Sequence, residues 1–102
     1  MVIVLGTVEI HPDDVEAAVA VATALVEATR QEPGCIQYAF GRDIAVPTRF
    51  WLSECWRDGE ALAAHFTTPH MAAFRVALQG LRVSGLSAQR YEVTGVSDAL
   101  GG

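Results

Sequence analysis

Apolar positions recur along the chain with two different periods, and the switches between them mark its elements. Val2 to Ile10 is rich in β-branched residues with Glu9 near its end, the pattern of a mostly buried strand. His11-Pro12-Asp13-Asp14 then opens a helix. Proline suits a first turn because its missing N–H would be unpaired there, and the two aspartates suit the positive end of the helix dipole. Val15, Ala18, Val19, Ala22, Leu25, Val26 and Thr29 follow at spacings of three and four. They form one apolar stripe, with Glu16, Thr23, Glu27 and Arg30 on the other side, and the helix ends before Glu32-Pro33-Gly34.

Period two returns over Cys35 to Gly41, where Ile36, Tyr38 and Phe40 share a face, and again over Arg49 to Trp56. The turn between them, 42 to 48, contains Pro47 and makes the pair an antiparallel hairpin. On the third strand Trp51, Ser53 and Cys55 are separated from Leu52, Glu54 and Trp56. The turn leaves open which set joins Tyr38. Asp58 is an N-cap for a short helix, 59 to 66, with Leu62 and Phe66 inward. Thr68-Pro69 restarts a second helix, with Met71, Phe74, Leu78 and Leu81 as its stripe and Gly80 near its end. Leu86 to Val96 reads as a last strand. Residues 1–96 form one domain and residues 97–102 a patternless tail.

The order β-α-β-β-α-β predicts an α+β, ferredoxin-like fold, a four-stranded antiparallel sheet with helices on one face. The other face is too apolar for water, so two subunits are expected to pack sheet to sheet as a homodimer. Composition narrows the partners. The 102 residues carry a net charge of −5 and no lysine, which excludes the basic face that nucleic acid or an anionic membrane surface requires. The apolar opening, Met1 to Leu5, is too short for a spanning or secretory segment, and a cytoplasmic protein is expected. Cys35 and Cys55 read as reduced, buried residues, since neither has an activating base or a CxxC spacing.

The chemistry-bearing residues concentrate between Glu54 and Arg75. His11, His65 and His70 raise a metal, but a helix break separates the last two and no Cys or carboxylate completes a ligand set, so no metal is expected. Phosphate-binding glycine loops and nucleophile elbows are missing. His65 lies at the border of its helix's apolar stripe. It reads either as a packed border residue or as a proton acceptor near neutral pH. His70, in a helical first turn, reads as exposed. Trp56 is either a core anchor or the platform for a planar ligand, and Tyr38 is core with its hydroxyl at an edge. Arg75 has no acidic residue three or four positions away, so it either reaches solvent or holds an oxyanion. Glu54 is expected to pair with Arg49 or Arg90.

Pro33-Gly34-Cys35, the Glu54-Cys55-Trp56 strand ending and the run Leu62 to Phe74, with His65-Phe66-Thr67-Thr68-Pro69-His70 at its centre, together resemble the antibiotic biosynthesis monooxygenase family. The closest likeness is to its small bacterial quinol monooxygenases. The resemblance spans nearly the whole chain. It implies a dimeric α+β barrel that oxidises a quinol or polyphenol with molecular oxygen, without metal, flavin or haem. By that likeness Trp56 would be the ring platform, Arg75 the oxyanion partner and His65 the proton acceptor, with Tyr38, Phe66 and His70 also lining the substrate site. Leu52 and Leu62 stand where the aromatic-polyketide members carry Asn and Tyr, which argues against a polyketide. The ligands of the haem-degrading members are absent. The same histidine segment is also similar to the autoinducer-2-degrading isomerases, in which a His at the position of His65 assists proton movement on a phosphorylated ketone. A ligand-binding dimer without turnover is the remaining reading.

Overall fold

The computed structural model describes residues 1–101 of the chain; Gly102, the last residue of the expected tail, lies outside them. Strand β1 (Val2–Ile10) runs into a 3-10 turn at Pro12–Asp14 and helix α1 (Val15–Thr29). Strands β2 (Cys35–Arg42) and β3 (Arg49–Trp56) form the hairpin, followed by helices α2 (Gly59–His65) and α3 (Pro69–Gln79) and strand β4 (Val83–Glu92). The sheet has the order β2-β3-β1-β4, antiparallel throughout, which is the ferredoxin-like arrangement.

The caps sit where their residue types require. The Asp58 side chain accepts from the Ala61 N–H at 2.9 Å, and the Thr68 hydroxyl accepts from the Met71 N–H ahead of Pro69. Two helices therefore start within a dozen residues, and the corner between them faces the end of β3.

The ladder settles the register that the hairpin turn left open. Tyr38 pairs with Glu54 and Phe40 with Leu52, so Phe50, Leu52, Glu54 and Trp56 face the helices, and Trp51, Ser53 and Cys55 face away. Ile36 departs from the expected face. A register shift between Cys35 and Gln37 lets two residues oppose one, which turns Ile36 outward (58% exposed) while Tyr38 stays buried. The last strand also lies earlier than expected. It spans Val83–Glu92 rather than 86–96 because β1 sets its length: pairing runs from Ile10↔Val83 to Val2↔Glu92, with one further bond from the Val93 N–H to the Met1 carbonyl. Phe66 is a third departure. Leu62 and His65, three apart, share the inner face of α2 with Ala61, and one further residue of rotation carries Phe66 out of it.

The core between helices and sheet joins Val2, Val4, Leu25, Tyr38, Trp56 and Leu62 at one end to Val8, Ile10, Val15, Ala18 and Phe50 at the other. The opposite sheet face leaves Leu5, Trp51 and Tyr91 about half exposed. Cys35 and Cys55 are free thiols, each half-buried rather than buried as expected, and desolvation pushes the Cys35 thiol up. No helix among the described residues is long and apolar enough to cross a membrane.

The turn from α1 into β2 depends on Gly34. Its φ is +82°, and a Cβ there would lie 2.6 Å from the Ala61 Cβ. Gly34→Ala is therefore expected to cost about 2 kcal/mol, a fall of roughly 10 °C in Tm. A melting curve within 2 °C of the parent would show that the turn relaxes freely.

Candidate active site

Three elements meet around one carboxylate. Glu32 stands just past α1, on the turn that Pro33 and Gly34 lead into β2, and its Oε2 lies 2.6 Å from Nδ1 of His65 and 2.7 Å from Nε2 of His70. His65 closes α2 and His70 opens α3, so their five-residue separation across the helix break brings both rings onto the same oxygen. A carboxylate has no hydrogen to give, so Nδ1 of His65 and Nε2 of His70 are assigned as the N–H positions. That leaves Nε2 of His65 as its acceptor nitrogen, with no protein hydrogen bond among the described residues.

The His65 ring is almost wholly enclosed, 1% exposed. Its centroid lies 4.8 Å from the Trp56 ring and 5.3 Å from that of Tyr38, with Phe66 at 5.7 Å on the solvent side. This is not the border position read from the helical stripe. His70, expected to be exposed, is half-buried, and its ring lines a groove of about 230 Å³ between α1 and α3 with Val21, Leu25 and Phe74. Beneath α1 a narrow apolar hollow lies among Phe40, Phe50, Phe74 and Leu78.

The other expected site residues fall in different places. Trp56 is fully buried, a core residue under His65 rather than an open platform, and it donates its indole N–H to Glu54 Oε1 at 2.8 Å. Glu54 thus pairs with an indole, not with Arg49 or Arg90, which bond instead to Glu9 and Glu92. Tyr38 is buried, and desolvation followed by the nearby Glu54 and Glu32 charges pushes its phenol far up, so it stays protonated. Arg75 does not enter the site. Its guanidinium donates to the Phe66 carbonyl at 2.8 Å and lies exposed, because that carbonyl is left over at the end of α2 and takes the nearest long donor.

Glu32 is the residue that sequence reading missed. It supplies the carboxylate that His65 and His70 were judged to lack, and the three offer ligand atoms within 4.8 Å of one another, the composition of a metal set. The short contacts of both imidazoles to a single oxygen are hydrogen-bond distances, so the carboxylate can steer both rings. Such a group can hold His65 in one tautomer and stabilise its imidazolium after it has taken a proton.

The sequence profile of the antibiotic biosynthesis monooxygenase family matches residues 1–77. The chain belongs to that family. An isomerase of (4S)-4-hydroxy-5-phosphonooxypentane-2,3-dione from Yersinia enterocolitica is 35% identical over 81 residues, 79% of this chain and 84% of that one. Its Klebsiella pneumoniae counterpart is 36% identical, over 72% of this chain and 74% of its own. An uncharacterised Synechocystis protein is 37% identical over 73 residues, and there the match spans only half of the relative's length. Among solved structures, a Deinococcus radiodurans protein provisionally described as an antibiotic biosynthesis monooxygenase superimposes with a TM-score of 0.93 at 29% identity, covering 99% of this chain and 100% of its own. The fold of this family member is therefore that of its relatives, while the names they carry divide between two chemistries.

Burial raises the Glu54 carboxyl above its ordinary value of 4.5, with the indole bond and His65 acting the other way. The folded state then holds that proton more tightly than the unfolded chain. The stability it contributes is present below the unfolded value and lost as pH rises through the folded one. Glu54→Gln keeps an acceptor for Trp56 and removes the charge. It is expected to raise Tm at pH 7 and to lose that advantage below pH ~4, measured by thermal melting across pH 3–8. An equal shift at both ends would remove Glu54 as the cause.

Proposed function

We propose that this family member is an isomerase that needs no cofactor and moves a proton along a small hydroxylated dicarbonyl compound, of the kind its Yersinia and Klebsiella relatives are named for. The observation that carries the reading is Glu32 bridging His65 and His70. The hydrogen on a hydroxyl-bearing carbon next to a carbonyl is acidic because the electron pair left behind spreads into an enediolate. His65 Nε2 takes that hydrogen while Nδ1–H stays on Glu32, and the carboxylate lowers the cost of the transient imidazolium. The same nitrogen returns the proton to the former carbonyl carbon, the hydroxyl proton passes from the first enediolate oxygen to the second, and the carbonyl moves one position along. No electron leaves the substrate, so the step requires neither oxidant nor metal. Around the imidazole, Trp56 and Tyr38 exclude water, and His70 holds the second side of Glu32.

A second reading, oxidation of a small quinol by molecular oxygen, is favoured by the aromatic lining of the hollow, Phe40, Phe50 and Phe74. It begins with the same proton transfer to His65. The guanidinium that this reading gives to the phenolate, Arg75, is however already engaged with the Phe66 carbonyl. A binding protein without turnover is the third outcome.

His65→Gln and Glu32→Gln are each expected to lower the isomerisation rate by roughly 10²–10⁴-fold with melting unchanged, whereas Arg75→Ala stays within about threefold of the parent. Proton NMR of a phosphorylated hydroxydione in D2O reads the reaction. Full turnover by His65→Gln would overturn the assignment, and oxygen uptake with a quinol panel but no isomerisation would favour the second reading.

We propose also that a second copy covers the open sheet face. Trp51, half exposed beside Leu5 and Tyr91 in a shallow depression, supports this. Trp51→Glu should then convert a dimer to a monomer by light scattering; a parent that is already monomeric at 100 μM would end the idea.

A further inference from the structure

The chain has no lysine, so among side chains that carry a permanent positive charge only arginine is available to an anionic ligand. Five of the seven arginines stand within 4.0 Å of a carboxylate among the described residues. Of the other two, Arg75 closes α2. Arg30 remains. Its Nε donates to the Tyr38 carbonyl at 2.9 Å, which fixes the guanidinium and leaves both Nη groups without a protein partner among the described residues. Arg30 lines a groove of about 310 Å³ between α1 and β2, together with Thr23, Val26, Glu27, Phe40 and Arg42. Arg42 enters the same groove held by the Pro47 carbonyl at 3.2 Å, with Glu16 at 4.0 Å as its one carboxylate contact among the described residues.

We infer that this groove binds the phosphate ester end of the substrate, with Arg30 as the principal anion donor and Arg42 as the second. The inference rests on the isomerase reading for what the other end of the ligand does. The layout supports it. Phe40 floors the groove, and the next inward residue of β2 is Tyr38, ~7 Å along the strand, whose ring packs on His65. Arg30 is two residues before Glu32, so the anion donor and the proton-steering carboxylate sit on the same short segment. In this proposal the carbon chain runs from the phosphate at Arg30 along the inner side of β2 toward the buried Tyr38 and His65 rings. Two guanidiniums recognise a phosphate through paired N–H donors and remain charged throughout the working pH range. Glu27 lies in the same groove and opposes the dianion, which makes the sign of the electrostatics testable.

The test is calorimetric titration of the intact protein with dihydroxyacetone phosphate, dihydroxyacetone and inorganic phosphate, which needs no turnover. The phosphorylated ketone should bind at least tenfold more tightly than either fragment. Arg30→Gln should weaken it at least tenfold, Glu27→Gln should tighten it, and Arg75→Gln should leave it unchanged, all with Tm within a few degrees of the parent. In the isomerase assay Arg30→Gln should raise KM and spare kcat. Equal binding of ketone and phosphorylated ketone, equal binding of free phosphate, or an indifferent Arg30→Gln would each overturn the subsite. If binding follows these predictions while no ketone is turned over, the subsite stands and the isomerase reading falls.

Discussion

One oxygen atom of Glu32 joins the end of α1, the end of α2 and the start of α3. The corner it organises encloses the most buried imidazole among the described residues. Deprived of that acceptor, both ring N–H groups would lose their partner, and His65 would be left polar and unsatisfied beside Trp56 and Tyr38. A buried donor without an acceptor costs on the order of 1–3 kcal/mol. The break between α2 and α3 is what makes the contact available. A continuous helix would hold His65 and His70 about 140° apart around its axis, given 100° per residue, and could not aim both at one point. The Thr68-Pro69 restart is therefore part of the site and not merely a punctuation mark in the chain.

Most of the architecture was legible because it rests on period and caps. Asp58 and Thr68 cap where their hydroxyl or carboxylate oxygens demand it, and β1 and β3 begin and end at the expected residues. What was not legible required information from another element. The bulge at Ile36 has no residue signature and shows only against the partner strand. The length of β4 follows from β1, not from the apolar content of Leu86 to Val96. Phe66 satisfied an i, i+4 apolar rule, yet α2 ends before that spacing can be used, and the polar His65 takes the inner face.

Of the cluster formed by Glu32, His65 and His70, the two histidines stood out in the sequence and the carboxylate did not. Glu32 sits in a Glu-Pro-Gly stretch that carries the meaning of a helix stop, and 33 residues separate it from His65 and 38 from His70. No periodicity links positions so far apart. The proline after Glu32 restricts its backbone to extended conformations, and that was the one available hint. Arg75 illustrates the reverse case. A cation without an acidic neighbour along its helix looks free, but a leftover helix-end carbonyl is an equally good partner and is invisible in a charge pattern.

The two tryptophans divide the molecule between them. Trp56 is sealed against His65 with its indole N–H on Glu54, while Trp51 lies on the open sheet face with its N–H on Asp43 at 2.7 Å. Their light emission is consequently sorted by place: a blue-shifted component sensitive to the charge on the adjoining imidazole, and a red-shifted one sensitive to whatever lies against the sheet. With one indole silenced by substitution with phenylalanine, the other becomes an intrinsic optical gauge of a single region, without any attached dye.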